Sequence, residues 1–301
     1  MSEREGSQRE QGARRALGPA VTPGGAGMTE RERGAAEERT QPAVELAGVE
    51  KTFAAGAAGA VHALSTVDLT VTAGEFVTFI GPSGCGKSTL LRLVADLTEP
   101  TAGTVRVNGK SARQARLDQD YGIAFQQAGL MDWRTVTRNV ELPLELRGWD
   151  RRRRRERSAE LLELVGLRDF AGAHPGELSG GMQQRVAIAR ALATGPKLLL
   201  MDEPFGALDE MTRERLQAEL GRIAAETGAT VAFVTHSIPE AVYLSDRVVV
   251  MSARPGRVTA VVDVDLGPRT EVTREAPEYF AKVTEVREAL RGRAPVRAEE
   301  H

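Results

Sequence analysis

Apolar residues along this chain gather in short runs separated by stretches with helical spacing. The runs at Phe76–Ile80, 123–125, 198–201, 231–234 and 248–251 are almost free of polar positions. A strand with one wet face alternates, so unbroken runs predict strands buried on both faces, as in a parallel sheet covered by helices. Between them, apolar spacing predicts helices over 158–165, with leucines at 161, 162 and 164, and over 182–193 and 213–226. Strands alternating with helices indicate an α/β fold. Upstream, 44–53, 61–64 and 67–71 read as antiparallel strands divided by Ala/Gly turns. The stretch between Gln126 and Ser179 reads as mainly helical, with a helix end at Gly166. After Arg254-Pro255-Gly256 come a strand-like stretch at 258–264 and a helical pattern at 278–290. Residues 1–42 hold almost no large apolar side chains, so an expected disordered tail precedes the folded part.

Composition changes this picture little. The 301 residues suffice for one large domain or two small ones, and 41% hydrophobic content supports a real core. Aromatics at 4% make that core rich in Leu, Val and Ala. The net charge of −2 gives no overall basic field for nucleic acid. A basic run, Arg151 to Arg155, reads as a solvated helix face in preference to a lipid or RNA contact. One cysteine excludes an intrachain disulfide framework and suits a reducing cytosol. No apolar run approaches the ~18–20 residues of a membrane span, and Met1 to Glu10 are polar, unlike a secretory signal. The expected location is therefore the cytoplasm, with any membrane association supplied by a partner.

The chemistry begins at Gly81-Pro82-Ser83-Gly84-Cys85-Gly86-Lys87-Ser88-Thr89, which fits the phosphate-loop pattern without a mismatch. Its glycines let the backbone curl so that several N–H groups face a polyphosphate. Lys87 reaches the outer phosphates as a point charge, and the Ser88 hydroxyl is placed for Mg²⁺. An apolar strand before it and a helical pattern after it supply the setting the motif needs, with a helix N-terminus aimed at the anion. The loop alone says only that a nucleoside triphosphate binds.

Three further features narrow the function. Leu178-Ser179-Gly180-Gly181-Met182-Gln183 is a glycine turn opening a helix, either a second phosphate contact or an ordinary Ser N-cap. An apolar strand ends in Asp202-Glu203, which places Asp202 toward Mg²⁺ and leaves Glu203 able to orient a water; a solvated strand end is the plainer alternative. His236 closes another strand, at the end where α/β sheets keep their sites.

Together these residues resemble the nucleotide-binding subunit of an ATP-binding-cassette (ABC) transporter over about residues 44–252. The family's Walker A loop matches Gly81 to Thr89 and its Q-loop glutamine matches Gln126. Its signature motif matches Leu178 to Gln183, with Met182 at a position the family leaves fairly free. The Walker B acid matches Asp202, the catalytic carboxylate Glu203, the D-loop Ala207-Leu208-Asp209 and the switch histidine His236. The adenine-stacking aromatic matches Phe53 most weakly.

The resemblance implies a P-loop NTPase core with a parallel sheet flanked by helices, an antiparallel β subdomain and a helical subdomain. It implies an ATPase domain over 43–253, a helical subdomain at about 128–180 and a C-terminal extension over 254–301. It also implies that two such subunits pack head to tail, as a homodimer or with a paralogue. ATP at one loop is then covered by Ser179, Gly180 and Gly181 of the other. Ser88, Asp202 and Gln126 arrange Mg²⁺ and water, Glu203 is the base, and His236 contacts the γ-phosphate. Residues Gly129 to Val136, Asn139-Val140 and Ser252 to Val258 resemble importers of nitrate, sulfonate, taurine or related solutes. In that group the segment after Gln126 faces a membrane permease, so the subunit sits on the cytoplasmic face of the membrane. A solute-binding protein takes part indirectly. Trp133 in that segment reads either as part of this docking face or as a packed core aromatic. The rival class is a soluble ABC ATPase working on DNA or ribosomes. Those usually carry long coiled-coil insertions or two cassettes, and only about 50 residues separate Gln126 from Ser179 here.

Overall fold

A computed structural model describes residues 42–54 and 59–292. Its centre is a six-stranded sheet built from β3 (Phe76–Ile80), β6 (Tyr121–Ala124), β7 (Leu198–Asp202), β8 (Thr230–Val234), β9 (Arg247–Met251) and β10 (Val258–Asp263). The order is β10-β9-β3-β8-β7-β6. All neighbours run parallel except β9 and β10.

The apolar runs are unbroken because each central strand serves two cores. Side chains alternate across a strand. On β3, Phe76 and Ile80 enter one core while Val77 and Phe79 enter the other. The same split divides Leu199 and Met201 from Leu198 and Leu200, and Val231 and Phe233 from Ala232 and Val234. Phe233 is fully buried between Phe76 and Phe205, with ring centroids 5.8 and 5.7 Å away. Truncating it to Ala costs about 3–5 kcal/mol.

On one side, α1 (Lys87–Val94) packs Leu90, Leu91, Leu93 and Val94 against a second, antiparallel sheet of order β2-β1-β4-β5. Its strands are β1 (Pro42–Ala54), β2 (Ala60–Thr72), β4 (Ala102–Val107) and β5 (Lys110–Ser111), and the short helix α2 (Ala112–Leu117) follows. The two strands expected at 61–64 and 67–71 are one strand, β2. The polar Ser65-Thr66 pair is accommodated within it, with Thr66 at a φ of 44° and the ladder register shifting opposite Val49 and Lys51. The expected N-terminal tail lies outside the described residues except for Pro42, which opens β1.

The helical segment comprises α3 (Val136–Leu146), α4 (Arg151–Leu164) and α5 (Gly180–Leu192). Val136, Val140, Leu144, Leu161, Leu162 and Val186 close its interior. The arginine run forms the first turns of α4, capped by Asp150, whose carboxylate accepts from the backbone N–H groups of Arg152 and Arg153. A run of five arginines hides the helical period, so the expected helix over 158–165 starts seven residues early. Next come α6 (Glu210–Thr227), stopped at Gly228 with φ 65°, and α7 (Ile238–Leu244) between β8 and β9. Residues 255–292 pack on the rest of the fold. Strand β10 pairs with β9, and α8 (Pro277–Leu290) buries Tyr279, Val283 and Val286 in the main core.

Candidate active site

Every parallel strand but β9 delivers a predicted site residue at its C-terminal end. The phosphate loop leaves β3, Gln126 follows β6, Asp202 ends β7 with Glu203 next, and His236 follows β8. The pairing register sets these ends level. Asp202 lies opposite Val234, Ala124 lies opposite Met201, and the Glu203 N–H donates to the Val234 carbonyl at 2.9 Å.

In the loop, Gly84 and Gly86 adopt φ of 75° and 103°. A Cβ at Gly86 would lie 2.7 Å from Leu64 Cδ2 and 2.9 Å from the Ala63 carbonyl, so both space and backbone demand glycine there. Pro82, Ser83 and Gly84 are exposed, whereas Gly81 and Cys85 are buried and Thr89 is half-buried. The Cys85 sulfur faces the core beneath the loop, which limits access of thiol reagents to it. Lys87 is buried, and its Nζ donates to the carbonyls of Gly81 at 2.8 Å and Pro82 at 3.2 Å. Its ammonium thus sits at the mouth of the curled backbone.

Ser88 Oγ donates to Asp202 Oδ1 at 2.8 Å. Burial pushes the Asp202 carboxyl above its usual range, against the pull of the Ser88 hydrogen bond; the neighbouring Glu203 charge adds to the rise. A buried carboxylate hydrogen-bonded to one hydroxyl suits a hard divalent ion. Mg²⁺ needs no cage, only one or two protein oxygens plus phosphate and water. Among the described residues no group of three or more His, Cys, Asp or Glu gathers as a denser metal site.

Glu203 has a left-handed backbone at φ 49°, a strained state for a non-glycine residue costing about 1–2 kcal/mol. One carboxylate oxygen, Oε2, lies 3.4 Å from the Gln126 Nε2 donor and 3.2 Å from His236 Nδ1. The structure therefore joins Gln126, Glu203 and His236 at one atom, and joins Ser88 and Asp202 beside them.

The signature residues are placed differently. Ser179 caps α5, accepting from the Met182 N–H at 3.3 Å, and its hydrogen bonds stay within that helix. Ser179 and Gly180 are exposed. Gly181 lies against the D-loop, where a Cβ would come within 3.0 Å of the Ala207 carbonyl. Phe53, at the end of β1, is 41% exposed, with Lys51 Nζ 4.9 Å from its ring centroid. Trp133 is 78% exposed, which removes the core alternative for it.

Two residues of the importer-like segment Ser252 to Val258 brace the loop, a role their sequence does not show. Arg254 Nε donates to the Gly84 carbonyl at 3.2 Å. Gly256 is wedged under the loop, its N–H on the Ala63 carbonyl at 2.9 Å and its carbonyl receiving the Ser65 N–H at 3.0 Å. Nothing local to Arg254-Pro255-Gly256 shows what the segment touches.

Comparison with known proteins agrees with this geometry. The ABC transporter family model matches residues 64–206. The chain is 48% identical to a taurine import ATP-binding protein of Rhizobium johnstonii, over 79% of this chain and 91% of that protein. It is 43% identical to a nitrate import ATP-binding protein of Synechocystis, over 83% of this chain and 96% of that one. Among solved structures it is similar to a dimeric ATP-binding cassette in a post-hydrolysis state with ADP and Pi. The TM-score is 0.69 at 37% identity, covering 74% of this chain and 99% of that one. A phosphate loop, strand-end acids and switch histidine set on a parallel sheet, in a chain this similar along its length to such proteins, place it in the ABC transporter family as an ATP-binding cassette ATPase.

Proposed function

We propose that this chain is the ATP-hydrolysing subunit of an importer that takes up a small solute of the nitrate, sulfonate or taurine type through a separate membrane permease. One observation carries the chemistry: the Glu203 carboxylate is shared between Gln126 and His236, one residue beyond an Asp202 bonded to Ser88. In this reading Lys87 turns from the carbonyls of Gly81 and Pro82 to the outer phosphates, which the backbone N–H groups of the loop, Pro82 excepted, also hold. Phe53 stacks on the adenine. Ser88, Asp202 and Gln126 hold Mg²⁺, whose charge offsets that of the phosphate oxygens. Glu203 orients a water and takes its proton as the water oxygen bonds to the γ-phosphorus. The bond from that phosphorus to the β–γ bridging oxygen breaks, and ADP leaves. His236 donates to a γ-phosphate oxygen as charge develops.

Ser179, Gly180 and Gly181 act on the ATP of a second copy of the chain. The exposure of Ser179 and Gly180, and hydrogen bonds of Ser179 confined to its own helix, support that role. ATP then joins two surfaces that close around it, and its hydrolysis lets them part.

The permease docks at the helical segment. A cleft of about 760 Å³ there is lined by Trp133, Arg138, Arg154 and Arg155 among others. Buried Asn139 holds the strip below it, accepting from the Met131 N–H at 2.8 Å and donating to the Arg134 and Thr135 carbonyls. No described helix is long and apolar enough to cross a membrane. The subunit in this reading is peripheral to the cytoplasmic face, and the solute-binding protein never touches it. Glu203→Gln tests the chemistry: it should keep ATP binding, stop turnover and accumulate an ATP-dependent dimer in light scattering. Turnover at the unaltered rate would remove Glu203 as the base.

A further inference from the structure

The switch histidine is followed at once by α7, and the C-terminal segment grips that helix along its length. Arg269 donates through Nε to the Tyr243 carbonyl at 2.9 Å and through Nη2 to the Ser245 carbonyl at 2.7 Å, at the end of α7. Tyr279 Oη donates to the Pro239 carbonyl at 3.1 Å, in its first turn. Between these, the Arg274 guanidinium lies 3.7 Å from the centre of the Tyr243 ring.

Arg274 also starts a buried polar chain that runs to the switch loop. Its Nη2 donates to Gln217 Oε1 at 2.5 Å. Gln217 Nε2 donates to Glu240 Oε1 at 2.7 Å. Glu240 Oε2 accepts from the Thr235 hydroxyl, and that hydroxyl accepts from the Ser237 N–H at 3.0 Å. His236 stands between Thr235 and Ser237. Gln217 and Thr235 are each 2% exposed and Glu240 is 7% exposed, so water does not substitute for the links among these three; Arg274 joins them from a half-buried position. Each member is satisfied by the next, and a buried polar network in that condition fixes one geometry. The mechanism as derived uses none of Thr235, Glu240, Gln217 or Arg274.

We propose that Arg274 and Gln217 are positioning residues for hydrolysis: through Glu240 they hold the Thr235 hydroxyl, and with it set His236 against Glu203. Docking of residues 269–279 on α7 thereby becomes a condition for full turnover. The inference rests on the reading that His236 contacts the γ-phosphate. It adds that the C-terminal segment controls how often His236 is in place.

The test is steady-state ATP hydrolysis by the full-length chain carrying Arg274→Ala, Gln217→Met or His236→Ala, with melting temperatures recorded for each. Gln217→Met keeps the volume and removes both links, so it serves if Arg274→Ala fails to fold. The expected result is a kcat lower by roughly tenfold in Arg274→Ala and Gln217→Met, as for misplacement of a reacting group. KM for ATP should stay within about twofold, since the lost contact belongs to the transition state. Arg274→Lys, which still donates to Gln217, should recover most of kcat. Val283→Ala removes core packing from α8 without touching the chain, and should lower the melting temperature while kcat is retained. Unaltered kcat in Arg274→Ala and Gln217→Met, with kcat lost in His236→Ala, overturns the proposal and leaves the role of His236 standing. Retained kcat in His236→Ala overturns that role itself. Equal loss of kcat in Val283→Ala and Arg274→Ala reduces the segment to general stability and also overturns the proposal.

Discussion

Gly256→Ala puts the bracing of the phosphate loop to a direct test. Gly256 lies outside every motif that marks the site, yet a Cβ there would stand 1.9 Å from the Cys85 carbonyl oxygen. Real Cβ contacts do not fall below 3.0 Å, so the two backbones must separate by at least about 1.1 Å. Neither side yields easily. Gly256 is tied to Ala63 and Ser65 by backbone hydrogen bonds, while Cys85 is held by the Pro82 carbonyl and by burial. Leu64 Cδ2, 3.2 Å from the added carbon, blocks a sideways escape. The loop therefore moves, and a displacement near 1 Å at a phosphate cradle costs about 10²-fold in activity. Overpacking of this kind costs about 1–3 kcal/mol in stability. Isothermal titration with ATP and steady-state hydrolysis read the first effect, and chemical denaturation reads the second. Unchanged nucleotide affinity and turnover in Gly256→Ala would refute the argument that this turn sets the loop.

Other expectations follow from the same geometry. Lys87→Ala should lose nucleotide binding in equilibrium titration, by about 10²-fold or more for loss of a buried charge contact worth about 3 kcal/mol. Burial raises the Glu240 carboxyl above its usual range, opposed by the hydrogen bonds from Thr235 and Gln217. Its stabilising contribution is thus full at acid pH and is lost as pH rises through the raised value. Glu240→Gln, neutral throughout, should abolish that slope in denaturation measured across pH, because an amide still accepts from Gln217 and can donate to the Thr235 oxygen. Phe53→Ala should raise KM for ATP with little change in kcat, on kinetics with ATP varied. Trp133→Ala should leave hydrolysis by the isolated chain intact while weakening co-purification with the permease.

Much of the site was legible because its residues act through local backbone shape. A phosphate loop needs glycines at fixed offsets from a lysine, whatever surrounds it, so Gly81 to Thr89 could be read directly. Asp202, Glu203 and His236 stood out because strands buried on both faces are apolar to their last residue, and a polar side chain just beyond is conspicuous. Strand β4 and helices α2 and α3 were not picked out individually. Strand β4 and helix α2 bury few positions, as in Ala102–Val107, where Val107 alone is buried, and α3 mixes polar Asn139 and Glu141 into its buried face and carries Pro143 inside it. The strand expected over 123–125 lies at Tyr121–Ala124, since Gly122 and a half-exposed Tyr121 do not look like a core strand.

The sequence by itself determined which groups gather at the strand ends as the candidate ATP site, because the order of strand, glycine loop and helix dictates where backbone N–H groups point. It also determined the α/β class through the length of its apolar runs. Only the tertiary structure decided what supports those groups. That Gly256 lies under Cys85, that Trp133 stands in solvent and that Arg274 reaches Gln217 depend on segments far apart in the chain. Such contacts leave no local period or propensity, since burial and reach are properties of the packed whole.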